Sequence, residues 1–538
     1  MKKKIQLLDC TLRDGAYIVD SHFGEASIRG IISRMREANV DIIELGWLKD
    51  SAYIEGTTFY HEPSDVMPYL PAGEKHCTYA VMIDWDRYDA VSMPEYDGRS
   101  IEAVRVVFPR GKFREGIAVG RIIKEKGYQV YFQAADTLGY TEQELMELAY
   151  EVSSVHPVSL SIVDTFGAMY EEDLKRIAAV LDRHMDSDIK LGFHSHNNQQ
   201  LSFSLSMQFV KLFRESEREI IVDASLCGMG RGAGNAPTEL VSSFLNRRCM
   251  GNYDLDIILD AIDTYMGYFK EHYEWGYSTP YLIAGMYCAH VNNIAYLQDS
   301  HRADAKDMRN IIESLPEADR KKYDYDLLEE KYLEYRDQYV YDEDSLKILS
   351  MKLAGRPLLL LMPGRSILNQ KDQIHDFIKK FHPAVIGVNA VCEEYDYDYL
   401  FFSSCVRYSY AKEAYPQKYS LCPKIIPSNI TTKPQEDEIL VNYHQLIKRG
   451  WEHFDNAGIM CLRLLNRLKV KEVALAGFDG FADAHSESYA DESLPRINPG
   501  KKWEALNEEI RDIFLDFRQA AQGEMHISFL TKSRYDTM

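Results

Sequence analysis

The chain is short of positive charge. Its 62 Lys and Arg stand against 83 Asp and Glu, a formal net charge of −21 over 538 residues. That balance repels phosphates and argues against nucleic acid as the main partner. It argues equally against docking on an anionic membrane. Long apolar runs are lacking too. Leu358-Leu359-Leu360-Leu361-Met362 is far too short to span a bilayer. The basic start, Lys2-Lys3-Lys4, has the flank of a signal peptide, but Asp9, Arg13 and Asp14 interrupt any apolar core. Cysteine is sparse and unpatterned: nine residues, no C-x-x-C. The odd count and wide spacing point to reduced thiols and a cytoplasmic protein, not a disulfide framework. No G-x-G-x-x-G follows the first strand-like segment, which disfavours two Rossmann halves. No segment is of low complexity.

What is present is an ordinary globular composition, 46% apolar and 27% charged, long enough for two or three domains. Residues 1–250 repeat one theme, a short apolar strand, a polar loop and an amphipathic helix. Strands are expected at 5–10, 41–46, 77–83, 103–108, 129–134, 159–164, 190–194 and 220–224. Between them, Ile28, Ile31, Ile32 and Met35 share one helical face. Thr141-Glu142-Gln143-Glu144 reads as a capping box opening a helix to about Val155. Asn235-Ala236-Pro237 reads as a helix start with Pro in the first turn. Eight such units in 1–250 predict an α/β fold, a TIM (β/α)8 barrel. Residues 251–345 read as a helical extension, rich in Tyr and acidic residues. From 350 to 538 the α/β pattern returns as a smaller, Rossmann-like domain. Its strands are expected at 358–362, 384–389, 399–403, 439–442 and 473–477.

Three runs carry the chemistry: Asp9-Cys10-Thr11-Leu12-Arg13-Asp14-Gly15, His194-Ser195-His196-Asn197-Asn198 and Gly228-Met229-Gly230-Arg231-Gly232-Ala233-Gly234-Asn235. His194 and His196 are two apart on a strand, so both point the same way, at the end of strand seven. Asp14 lies just past strand one, on the same rim of the barrel. Closing the sheet brings the two within roughly 10 Å, so all three can share one ion. Such mixed nitrogen and oxygen ligation suits Mn²⁺ or Mg²⁺, and also Co²⁺ or Zn²⁺. Arg13 beside the ion could stabilise a developing enolate. Glu44, at the end of strand two, could orient Arg13 or sit on the rim as a substrate-binding carboxylate. The Gly-rich loop, Gly230 and Gly232 included, could offer backbone N–H groups to a phosphate or carboxylate. Asn235 could cap the helix, ligate the metal, or both. Cys227 is a lone loop thiol, a kind more often inert than catalytic.

Together these motifs resemble the DRE-TIM metallolyase superfamily, the pyruvate carboxyltransferase-like barrels, over roughly residues 4–300. Phe193 to Asn198 and Gly228 to Pro237 are most similar to its 4-hydroxy-2-oxovalerate aldolase branch. The resemblance implies a metal held by Asp14, His194 and His196, with Arg13 stabilising a pyruvate enolate. It implies a carbon–carbon lyase acting on a 2-oxo acid and an aldehyde, and a homo-oligomer. Asp164-Thr165-Phe166-Gly167 resembles the strand-six rim of the family, placing Thr165 and Asn197 near substrate. Ala284-Gly285-Met286-Tyr287 resembles the A-G-x-Y segment of the aldolases, which makes Tyr287 a candidate catalytic tyrosine. One departure stands out. The aldolase branch carries a catalytic His three residues after the metal Asp, where this chain has Tyr17. A phenol with a pKa near 10 is a poor base at neutral pH, so Tyr17 could position a water or His22 could take the proton. Two alternatives stay open: an acyl-CoA-condensing synthase of the isopropylmalate synthase type, and a non-catalytic barrel scaffold. In the second domain, Pro363-Gly364-Arg365-Ser366 after a strand, and Asp479 after a later one, are candidates for binding a nucleotide or nucleotide-sugar.

Overall fold

The computed structural model describes residues 4–72, 76–299, 303–336, 340–451, 453–482, 485–495 and 503–536. The chain divides into two compact units, Met1–Lys331 and Tyr332–Met538.

The first unit is a closed parallel barrel. Its strands are β1 (Ile5–Asp9), β2 (Ile42–Leu48), β3 (Thr78–Asp84), β4 (Ala103–Phe108), β5 (Gln129–Ala134), β6 (Ser159–Asp164), β7 (Lys190–Ser195) and β8 (Ile220–Ala224). Each pairs in parallel with the next, and β1 closes the ring against both β8 (Ile5 opposite Ile220) and β2 (Leu8 opposite Ile42). All eight fall where the apolar runs predict them. The runs are nearly continuous because both faces of a parallel strand are covered. The helix Glu25–Glu37 buries Ile28, Ile31, Ile32 and Met35, as their spacing requires. Thr141 and Glu144 form the expected reciprocal cap on the helix Glu142–Ser153. One expectation is corrected. The helix after β8 is Thr238–Cys249, so Pro237 precedes it as the capping residue and does not sit in its first turn.

A small strand, Phe59–Tyr60, was not foreseen. It pairs with the end of β2, Trp47 opposite Phe59. Gly46 permits this: at φ +150° it lies so close to the Thr58 carbonyl that a Cβ would come within 2.1 Å of that oxygen.

The barrel interior changes character along its axis. Leu8, Ile42, Ala80, Ala103, Tyr131 and Ile221 make one apolar layer. Two residues further along their strands stand Glu44, Arg105, Gln133 and Asp223, all buried. The period-2 alternation of strands stacks one layer on the other, so the charged layer lies directly below the C-terminal rim. Helices from Leu255–Ala261 to Tyr325–Arg336 follow the barrel.

The second unit is an open parallel sheet of seven strands: β9 (Leu358–Leu361), β10 (Ala384–Val388), β11 (Tyr399–Phe401), β12 (Lys424–Pro427), β13 (Glu438–Val441), β14 (Glu472–Ala476) and β15 (His526–Phe529). The spatial order is β13-β12-β11-β10-β9-β14-β15. β12 and β15 are strands that the apolar pattern did not single out, Lys424–Pro427 being short and proline-ended and His526–Phe529 half exposed. The helix Glu343–Leu353 packs Leu349 and Leu353 into this unit's core. No helix among the described residues is long and apolar enough to cross a membrane. All nine cysteines are free.

Candidate metal centre

β1 ends at Asp9, and the chain turns at once into a helical turn, Thr11–Asp14, at the C-terminal mouth of the barrel. Asp9 anchors that turn by accepting from the Thr11 N–H at 3.1 Å. Arg13 and Asp14 are thereby held buried, 4% and 1% exposed. From β7, His194 and His196 reach the same place. Ligand atoms of Asp14, His194 and His196 all lie within 4.8 Å of one another. The two imidazole rings stand perpendicular, their centroids 5.1 Å apart.

Each ligand is oriented by a partner. Arg13 Nη1 donates to Asp14 Oδ1 at 2.5 Å, and Asn235 Nδ2 donates to Asp14 Oδ2 at 2.6 Å. His194 Nδ1 meets Asp223 Oδ2 at 3.1 Å, which leaves Nε2 for an ion. His196 Nδ1 and Asn235 Oδ1 are buried with no hydrogen-bond partner. Two orphaned lone-pair donors beside a carboxylate and a second imidazole form a donor set suited to a divalent cation. Burial raises the Asp14 carboxyl, but Arg13, His196 and His194 outweigh it and hold the group well below the usual carboxylate range. Burial pushes His196 down to about 4, against the pull of Asp14. Both are therefore in the ligating form at neutral pH.

Under the ligands lies a network of which motif reading foresaw only the Glu44–Arg13 contact. Glu44 Oε2 accepts from Arg13 Nε at 2.8 Å and from Arg105 Nη1 at 2.7 Å. Arg105 Nη2 donates to Asp223 and, at 2.9 Å, to Gln133. Arg105 thus ties the carboxylate that orients Arg13 to the one that orients His194. Its signal was available: a lone charge inside Ala-Val-Arg-Val-Val-Phe, and Asp223 inside Ile-Ile-Val-Asp-Ala, are rarely buried unpaired. Glu44 is wholly buried below Arg13, which corrects its assignment as a substrate-binding rim carboxylate.

The remaining candidates divide. Tyr17 stands at the mouth, its ring 6.0 Å from Trp47 and under the Arg231 guanidinium at 5.0 Å. Packing at the mouth raises its phenol to about 12 although 46% of the residue is exposed; Arg231 and Arg13 pull the other way. His22 is exposed, and its Nδ1 bonds the Asp20 carbonyl at 2.5 Å, so it is not brought to the cluster. Tyr287 is engaged by Arg309 on its hydroxyl and Arg320 over its ring, and by no residue of the cluster. Thr165 accepts from the Asp136 N–H at 2.7 Å. Asn197 Oδ1 accepts from the Ser202 N–H, and its own N–H donates to the Gly234 carbonyl at 2.7 Å. Asn235 caps no helix, which removes that alternative.

The glycine loop serves close approach more than anion capture. A Cβ on Gly230 would fall 2.2 Å from Asn235 Nδ2 and 2.3 Å from Asp14 Oδ2. Gly232, at φ +67°, would strike Asn198 Oδ1 at 2.7 Å. Asn198 clasps the loop by accepting from the Ala233 N–H and donating to the Phe166 carbonyl, both at 2.9 Å. Cys227 takes a left-handed φ of 54°, and burial raises its thiol, the opposite of nucleophilic activation.

With this geometry, residues 112–264 match the family model HMGL-like. Among curated proteins, the chain is 27% identical over 270 residues to 4-hydroxy-2-oxovalerate aldolase of Thermomicrobium roseum, covering 48% of this chain and 71% of that one. It is 25% identical over 266 residues to oxaloacetate decarboxylase of Mycobacterium tuberculosis, covering 47% and 74%. Among solved structures it is similar to the HMG-CoA lyase of Brucella melitensis, 16% identical with a TM-score of 0.40, covering 50% of this chain and 98% of that one. Over about half of its length the chain is thus similar in sequence to proteins named as aldolases, and residues 112–264 are similar to the HMGL-like family.

In the second unit, Gly364, Arg365, Ser366 and Asp479 meet where the strand order reverses between β9 and β14, the place where open parallel sheets take ligands. A cleft of about 800 Å³ opens there. The Ser366 N–H and hydroxyl already donate to Asp479, at 2.7 and 2.5 Å. A carboxylate therefore occupies the turn where a phosphate was expected.

Proposed function

We propose that the barrel is a divalent-metal-dependent carbon–carbon lyase that splits a 4-hydroxy-2-oxo acid into pyruvate and an aldehyde. The observation that carries this is the buried Asp14, His194 and His196 triangle with Arg13 bonded to its carboxylate. Asp14, His194, His196 and Asn235 would hold the ion, with Mn²⁺ or Mg²⁺ the best matched. When bound, the ion supplies Lewis-acid polarisation of the 2-oxo group. Loss of the 4-hydroxyl proton lets its electron pair form the aldehyde carbonyl as the C3–C4 bond breaks, and the bonding pair becomes the pyruvate enolate. Arg13, fixed by Glu44 and Asp14, stands as a preorganised cation for that enolate. Tyr17, protonated at neutral pH, suits the donor that returns a proton to C3 better than it suits the base.

That last point favours a second reading of the same site, release of CO₂ from a 2-oxo acid with a carboxylate on C3. There the bonding pair again becomes the enolate, and only a proton donor is needed. The M. tuberculosis relative named for this chemistry is in line with it. The test is incubation of metal-loaded protein with 4-hydroxy-2-oxo acids of varied length and with oxaloacetate, assaying pyruvate, aldehyde and CO₂. Pyruvate with an aldehyde supports the lyase. Pyruvate with CO₂ alone supports the second reading. Asp14→Ala should abolish either, and full activity in that variant would refute the assignment of the site.

A further inference from the structure

Arg231 is a cation at the barrel mouth with no acid to neutralise it. Its Nη2 donates to His290 Nε2 at 2.8 Å and to Asn292 Oδ1 at 3.1 Å. Its guanidinium lies over the Tyr17 ring. All three partners are neutral. Arginine is donor-only, so this contact calls on the Nε2 lone pair of His290, while the Asn292 N–H stands 3.2 Å from the other ring nitrogen, Nδ1. Burial, then Arg231 itself, lowers that imidazole to about 3. The other arginines of the site differ: Arg13 is paired with Asp14 and Glu44, and Arg105 with Glu44 and Asp223. Asp84, an acid that also acts on Tyr17, is paired with Lys49 at 3.2 Å. Among the described residues, Arg231 Nη1 and Nε have no partner and no carboxylate reaches the group.

Its place is set from both sides. Gly230 and Gly232 pack against Asp14, Asn235 and Asn198, so the backbone on either side of Arg231 is pinned to the ligand cluster. His290 and Asn292 hold the far end of the side chain. A guanidinium fixed by neutral acceptors, beside a centre built to hold one end of an oxo-acid, is a preorganised receptor for a second anionic group.

We propose that Arg231 binds a carboxylate at the distal end of the substrate, so that the barrel acts on 2-oxo dicarboxylic acids. This rests on the 2-oxo acid reading of the metal centre. Tyr17 lies beneath the guanidinium and packs it in place, so the residue that departs from the aldolase pattern has a positioning role in the same receptor.

The experiment measures binding, not turnover. Mn²⁺-loaded full-length protein is titrated calorimetrically with 2-oxoglutarate and with 2-oxopentanoate, which share the 2-oxo acid end and differ in the distal carboxylate. Wild type should prefer 2-oxoglutarate by about 10- to 100-fold, the value of a charge-assisted pair. Arg231→Met should shrink that ratio to near one, and Arg231→Lys should keep part of it. Equal affinity of wild type for the two acids overturns the assignment of Arg231 and leaves the metal-centre reading standing. An unchanged ratio in Arg231→Met overturns it as well. Binding of neither acid by wild type sinks both readings together.

Discussion

Gly230→Ala tests the metal centre without touching a ligand. The added Cβ would lie 2.2 Å from Asn235 Nδ2 and 2.3 Å from Asp14 Oδ2, against 3.4 Å and upward for ordinary contact. The side chains must therefore retreat by about 1 Å, because a packed interior offers no free space. Asp14 cannot follow freely, since its other oxygen is held by Arg13. Displacements of this kind in the groups around a metal typically cost about 10- to 100-fold in affinity. Mn²⁺ affinity is measured by calorimetry on wild type and variant, with urea unfolding in parallel. The control is Gly267→Ala, in the helix Gly267–His272, where a Cβ meets nothing within 4 Å. The control should bind Mn²⁺ as wild type does and gain ~0.5 kcal/mol in stability. If folded Gly230→Ala binds Mn²⁺ within twofold of wild type, then Asp14 and Asn235 do not form the ion's cradle.

Arg105→Met should lose about 3–5 kcal/mol of barrel stability, because Glu44 and Asp223 stay buried without their shared cation. Urea unfolding checks this, and a loss below 1 kcal/mol would show the network to be dispensable. Asp9 gives a pH prediction. Burial raises its carboxyl from 3.8 to about 6, over opposing hydrogen bonds from Thr238 and Thr11. The folded state then holds a proton that the unfolded state has released, so this group's contribution is fully present below pH 3.8 and lost as pH rises through 6. The loss amounts to about 3 kcal/mol, and comparison of Asp9→Asn with wild type from pH 4 to pH 7 should show a stability difference that grows with pH. A difference independent of pH would contradict the assigned shift.

Much of the barrel was legible because its strands are buried on both faces and its helices on one. Continuous apolar runs and the spacing of Ile28, Ile31, Ile32 and Met35 report those burials directly. Strands with less apolar content escaped: Phe59–Tyr60 has two residues, and Lys424–Pro427 opens on a lysine. The site was legible in its clustered motifs, where Asp14, His194 and His196 stand out by type and spacing. Tyr287 and His22 were drawn from proximity in sequence or from resemblance, and neither is held against the cluster.

By itself, the order of amino acids determined the α/β class, the eight barrel strands and the identity of the three residues that close on one point; the helix expected between Thr78–Asp84 and Ala103–Phe108 is not there. Only the tertiary structure decided what each of them leans on. Arg105, Glu44 and Asp223 come from three different strands, and hydrogen bonds between residues 61 and 118 positions apart leave no local pattern. The same holds for Arg231, whose unbalanced charge follows from which neighbours the fold brings to it. Pairing is a property of distance in space, and the chain records only distance along itself.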